Sequence, residues 1–347
     1  MLLALLLSIF ALCLYRIRFN LNGFNEDYLS KDNTNSIKGI FILLIVISHS
    51  IPYIARCGYG FDGTGDMLFM RFFSLLSQLV VVMFLFYSGY GVGESFKSKG
   101  DAYVQAMPRH RILGTLLNFD VAIVAFIIVD LLLGISVSVN QCMLSLIGWE
   151  SVGNSNWYIF VILLCYIVTY VTLRLPLKKR AYWVGMSFAL SVVSILVLAF
   201  FKENYWYNTI LSYPLGFMYS TYKDTIEARL KKSYWKYAII LAVIFVLFYI
   251  LLHNKSAIRY QACYNVVSML FALLVVMLTL KVRINNQPLR WVGTHLFPIY
   301  IYMRLPMIFM EHKIPSMVGT YPALFILTSL AVTLLIAHFY KHWKIRL

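Results

Sequence analysis

The chain is 347 residues long, 61% hydrophobic and only 13% charged. That composition excludes an ordinary soluble globular domain, and the recurring long apolar runs leave no room for a sizeable soluble unit. The net charge of +16 does not point to nucleic acid, because the basic residues fall in short loops between apolar runs rather than on one continuous footprint.

Eleven apolar spans are predicted, at about 1–15, 37–56, 68–92, 112–137, 156–173, 182–200, 206–221, 237–252, 262–280, 291–310 and 318–338. The first is followed by Arg16 and Arg18. A cleaved signal peptide carries its charges ahead of the apolar stretch, so this one reads as a short membrane helix with its N-terminus outside. Of the 30 Lys and Arg residues, 23 fall on one alternating set of loops, from Arg16 through Arg109 and Arg111 to Lys341, Lys344 and Arg346. The other set carries only Arg56, Lys202, Lys255, Arg259 and Lys313, while Arg71 and Arg304 lie inside spans. The basic side is cytoplasmic by the positive-inside rule, which gives a multi-pass protein of the plasma membrane with a cytoplasmic C-terminus. The five cysteines are scattered without a CxxC, so neither a zinc site nor a disulfide framework is indicated. No period of a solenoid repeat is present.

The second span opens with Ser36-Ile37-Lys38-Gly39 and reaches Ser48-His49-Ser50 near its far half. Ten residues separate Lys38 from His49, which places them about 16 Å apart along a helix, half a bilayer. Ionisable groups at such depth are costly, and histidine is the side chain best suited to proton transfer near neutral pH. A snorkelling lysine and a histidine satisfied by a neighbouring helix is the plainer reading of the same pair.

Further along, Arg71 opens the third span and Phe84-Leu85-Phe86-Tyr87-Ser88-Gly89-Tyr90 closes it. Ser88-Gly89 serves close helix packing, which does not exclude a ligand beside it. Arg109 and Arg111 flank His110 at the entrance to the fourth span, as a topology determinant or a phosphate contact. Asp120 and Asp130 follow within that span, each either functional or paired with a neighbouring base. The outer loop Gly148-Trp149-Glu150-Ser151-Val152-Gly153-Asn154-Ser155-Asn156-Trp157-Tyr158 combines aromatic faces, amides and a carboxylate. Glu150, Asn154, Asn156 and Trp157 are the groups a sugar site uses, although an interfacial aromatic belt accounts for the rings alone. Arg304 interrupts the tenth span and requires a carboxylate, a phosphate or a polar pocket.

Taken together these segments resemble the acyltransferase-3 family of integral membrane acyltransferases. Lys38 and His49 match its base-ten-residues-histidine pattern, with Lys in place of the more usual Arg. The Phe84–Tyr90 run, Arg109-His110-Arg111-Ile112-Leu113, Asn156-Trp157-Tyr158-Ile159, Tyr213-Pro214-Leu215-Gly216-Phe217, and Trp291-Val292-Gly293 through Ile299-Tyr300-Ile301-Tyr302 resemble its later segments in order. The late helix of the family often has a His before its Pro, where Arg304-Leu305-Pro306 stands here.

The resemblance implies an all-α polytopic membrane fold with ten of the eleven helices forming the family core. Residues 1–35 are then an extra helix and linker, 36–340 the membrane domain, and 341–347 a short basic tail. It implies transfer of an acyl group, usually acetyl from acetyl-CoA as donor substrate, to a hydroxyl of a glycan or lipid-linked sugar. His49 is then general base or acyl carrier. Lys38, Arg109 and Arg111 are associated with donor or pore, and Arg71, Ser88, Glu150, Asn154, Asn156, Trp157 and Arg304 are acceptor-site candidates. No metal and no bound cofactor are expected, and the other partners are membrane lipids. A transporter or flippase for a lipid-linked sugar is the competing class, and no inverted repeat in the hydropathy supports it. A polysaccharide polymerase would call for a larger outer loop than the roughly 18 residues found here.

Overall fold

The computed structural model describes residues 1–254 and 261–347, so Lys255 and Arg259 of the sparsely charged loops lie outside the described residues. Helix α1 (Leu2–Leu14) and a short strand β1 (Ile17–Phe19) precede α2 (Lys31–Arg56). Ser30 caps α2 by accepting from the Asn33 amide, and Asp32 in the first turn complements the helix dipole, so the helix begins six residues ahead of the apolar run.

The expected third span is two helices. α3 (Thr64–Leu76) and α4 (Leu79–Lys99) are separated at Ser77, whose φ of 39 lies in the left-handed region and ends the first piece. α3 runs beside α1, with Phe72 edge-on to Phe10. α4 is followed by one long rod: α5 (Asp101–Met107), a π-helical turn (Pro108–Leu113) and α6 (Gly114–Leu133). Gly134, at φ 73, closes it as a left-handed cap.

A short helix α7 (Val139–Leu146) lies in the next connection, before α8 (Trp157–Arg174) and α9 (Arg180–Phe201). α10 (Ser212–Lys231), α11 (Tyr234–His253) and α12 (Gln261–Thr279) lead to strand β2 (Val282–Ile284). The tenth span is also interrupted, into α13 (Gln287–Thr294), α14 (Leu296–Tyr302) and α15 (Arg304–Lys313). Pro298 and Pro306 supply no amide for the preceding turn, which is the physical cause of both breaks. α16 (Pro315–Thr320) and α17 (Pro322–Phe339) complete the helices.

Among the described residues, seven helices are long and apolar enough to cross a membrane, and Leu2–Leu14 and Cys263–Thr279 are shorter apolar helices. The fold is an all-α polytopic membrane fold. The expected seventh span corresponds to α10, whose second half turns polar at Lys223, Asp224 and Glu227.

Loops gather at two ends. At the basic end β1 pairs antiparallel with β2, Ile17 opposite Ile284 and Phe19 opposite Val282. Arg283 pairs with Asp27 at 2.7 Å, Arg290 with Asp32 at 2.6 Å and Lys231 with Glu26 at 3.1 Å. At the opposite end Arg56 grips Glu311 with both Nε and Nη2.

Two helix crossings fix the interior. A Cβ on Gly39 would overlap the Leu289 carbonyl, and one on Gly293 would overlap the Asn35 carbonyl, so α2 and α13 meet backbone to backbone. Gly89 and Gly216 do the same for α4 and α10, against the carbonyls of Tyr213 and Phe86. In lipid such close approach replaces the hydrophobic drive between helices.

Candidate active site

His49 sits in the far half of α2 and is only partly enclosed by the protein. One turn on, the Tyr53 hydroxyl is fully buried and accepts from Nε of Arg304 at 2.9 Å. The same guanidinium donates from Nη1 to the Asn154 carbonyl at 3.1 Å. Arg304 is close enough to His49 for their charges to interact. No carboxylate neutralises Arg304 among the described residues, since both of its partners are uncharged oxygens. Its polar pocket therefore leaves a cation available to a carbonyl oxygen or an oxyanion.

The loop that supplies the Asn154 carbonyl is rigidly built. The Asn154 side chain accepts from the Val152 amide at 3.0 Å and the Ser151 hydroxyl at 3.2 Å. Asn156 donates to the Gly148 carbonyl at 2.9 Å, and Gly148 and Gly153 take the positive φ values of 74 and 84 that the two turns need. The loop therefore folds back over the interior instead of projecting outward.

A cavity of about 710 Å³ reaches this region from the basic end. Its inner wall includes Phe84, Ser88, Tyr158 and Tyr300, and its mouth includes Arg111, Lys344 and Arg346. Tyr300 on the inner wall and His49 on α2 are each within electrostatic reach of Arg304. Lys38 lies beside the cavity: its ammonium is 5.6 Å from the centre of the Tyr87 ring, and its charge interacts with that of Arg111. Lys38 has no ion-pair partner among the described residues.

The remaining sequence candidates divide. Arg111 and Ser88 are wall residues, whereas Arg109 is exposed and outside the wall. Arg71 is exposed on α3, because the break at Ser77 detaches that helix from α4, and it lines no part of the cavity. Glu150 faces Lys202 at 3.5 Å, Lys202 in turn lies 4.0 Å from the centre of the Trp149 ring, and Glu150 lines no part of the cavity. Trp157 makes T-shaped ring contacts with Tyr158 and Tyr205 and lines no part of the cavity. Asp120 keeps a buried oxygen without a hydrogen bond, and the charge of Asp130 interacts with that of His312.

Tyr53, Tyr158 and Tyr300 were not singled out from the sequence. For Tyr53 a signal was there: it follows His49 by four residues in α2, the spacing that shares one helix face.

The acyltransferase domain family model matches residues 32–340, nearly the whole chain. The chain belongs to the acyltransferase-3 family. Neither a curated protein nor a solved structure matches it. Membership makes this a membrane acyltransferase, and the acyltransferase-3 match begins just inside α2 and ends at Tyr340, leaving α1, β1 and residues 341–347 outside it.

Proposed function

We propose that this acyltransferase moves an acyl group, acetyl in the first instance, from acyl-CoA at the basic end to a hydroxyl of a cell-surface glycan or lipid-linked sugar at the opposite end. The basic end is taken as the cytoplasmic face of the plasma membrane. The observation that carries this reading is the cavity itself, which opens among cations and has in its wall Tyr300, within electrostatic reach of Arg304.

The thioester enters with its phosphates toward Arg111 and its acyl carbon toward Tyr300. His49 takes the proton of the acceptor hydroxyl, whose oxygen then attacks the thioester carbon. The new C–O bond forms, the C–S bond breaks, and the proton held by His49 passes to the departing thiolate. In the alternative order the His49 imidazole accepts the acyl group first and passes it on. In both orders Arg304 faces the oxygen on which negative charge develops.

The test is incubation of the purified protein with radiolabelled acetyl-CoA, with and without surface glycan from a strain lacking it. Alkali-labile acetyl on the glycan supports the reading, and label retained on the protein without acceptor selects the acyl-carrier order. Movement of a lipid-linked sugar across vesicles with no use of acetyl-CoA would replace it with transport.

A further inference from the structure

Residues 341–347 lie beyond the family match, yet they build one side of the cavity mouth. Lys341, Lys344, Ile345, Arg346 and Leu347 all line it. A short, exposed, basic segment would ordinarily fray, but this one is clamped. Asn118, itself buried, donates from Nδ2 to the Ile345 carbonyl at 2.9 Å and accepts from the Ile345 amide at 3.0 Å. Its Oδ1 also accepts from the Tyr340 hydroxyl at 2.8 Å. Trp343 donates to the Tyr302 hydroxyl at 3.3 Å and stands edge-on to the Tyr340 ring.

The clamp has an electrostatic consequence. Arg111, Lys341, Lys344 and Arg346 are brought around one opening, with His110, His295 and His338 also in the wall. No Asp or Glu side chain lines the cavity, and none of these four cations has an ion-pair partner among the described residues. Holding like charges together this way raises the potential at the mouth and favours a ligand with several negative charges. Topology needs basic residues on this side, but it does not need them fixed around a cavity.

Resting on the donor reading of this cavity, we propose that residues 341–347 are the phosphate-binding arm of the donor site, with Lys341, Lys344 and Arg346 contacting the nucleotide phosphates and Asn118 positioning the arm. Ammonium and guanidinium contacts to phosphate are charge-assisted, and a fixed arm avoids the ordering cost a free tail would meet on binding. The inner wall of Tyr158, Ile159 and Tyr300 is left to the uncharged end of the ligand.

The test measures binding of coenzyme A, and separately of inorganic pyrophosphate, by calorimetry on the purified full-length protein. The variants are the triple Lys341→Ala, Lys344→Ala, Arg346→Ala and the single Asn118→Ala. A charge-matched control replaces the exposed Lys178, Arg180 and Lys232 with Ala. The triple variant is expected to weaken coenzyme A by about tenfold or more and to flatten the salt dependence of its binding, with the control unchanged. In the transfer assay it should raise KM for acyl-CoA and leave kcat nearly as it was. Asn118→Ala should shift affinity in the same direction by a smaller factor. Coenzyme A binding equal in the wild type and the triple variant overturns the arm and leaves the donor reading intact. Pyrophosphate binding that depends on the three cations, with no binding of coenzyme A, keeps the arm and overturns the donor reading. Binding of neither overturns both.

Discussion

Arg304 of α15 donates to the Tyr53 hydroxyl of α2 at 2.9 Å. Tyr53 follows Pro52 within the unbroken α2, and Arg304 opens α15 just after the break at Met303. The contact therefore ties the far end of α2, which carries His49, to the first residue of α15. Arg304→Lys keeps the charge and loses the fork that reaches both Tyr53 and Asn154. Its kcat should fall by about 10²-fold while protein level holds, as expected for a donor aimed at developing charge. Tyr53→Phe removes one hydrogen bond and should cost about tenfold. A Lys variant with wild-type kcat would make Arg304 a purely structural residue.

His49→Ala should abolish acyl transfer, with a drop of about 10²-fold or more, while membrane insertion and yield stay normal. The measurement is transfer rate per mole of purified protein. Activity surviving at a substantial fraction of wild type would remove His49 from the chemistry.

Lys38 distinguishes charge from shape. It sits over the Tyr87 ring with no acidic partner among the described residues. Lys38→Ala should lower transfer severalfold or more, while Lys38→Arg should be tolerated because cation and reach are both retained. Reporter fusions on the flanking loops check that topology is unaltered. Full activity in Lys38→Ala would reduce the residue to a topology charge.

The glycine crossings give a stability prediction with a built-in control. Gly216→Ala and Gly293→Ala place a methyl on a facing carbonyl, and overpacking of this kind costs about 1–3 kcal/mol or more. Gly91→Ala, in the same helix as Gly89, meets nothing within 4 Å. The first two should lose folded protein in a thermal unfolding assay in detergent, and the third should match wild type. If all three behaved alike, the crossings would not be the constraint.

The glycines were the most legible part of the sequence. Gly39, Gly89, Gly216 and Gly293 each belonged to a segment singled out there, although nothing in the sequence said that they form two crossings. The apolar runs showed a polytopic helical fold because burying a backbone in lipid leaves helices as the solution for such runs. The breaks at Ser77 and before Arg304 were less legible. An apolar run reads the same whether or not one residue inside it turns left-handed, and the proline breaks sit within otherwise continuous hydropathy. For that reason Arg71 was grouped with Ser88, though they lie on different helices. The outer loop showed its polar composition but not its direction. That direction depends on Asn154 and Asn156 bonding within the loop, which composition does not reveal.

The π-helical turn at Pro108–Leu113 closes through the Gly114 amide to the Arg109 carbonyl, one residue wider than an α turn. An inserted residue in a rod rotates everything beyond it by about 100°. Deleting one residue from this turn would thus leave a straight, well-bonded helix whose later half faces the wrong neighbours. Asn118 would swing away from Ile345, and Arg111 from the opening it lines. The widened turn thereby sets the angular phase between α5 at the start of the rod and the cavity wall that follows it.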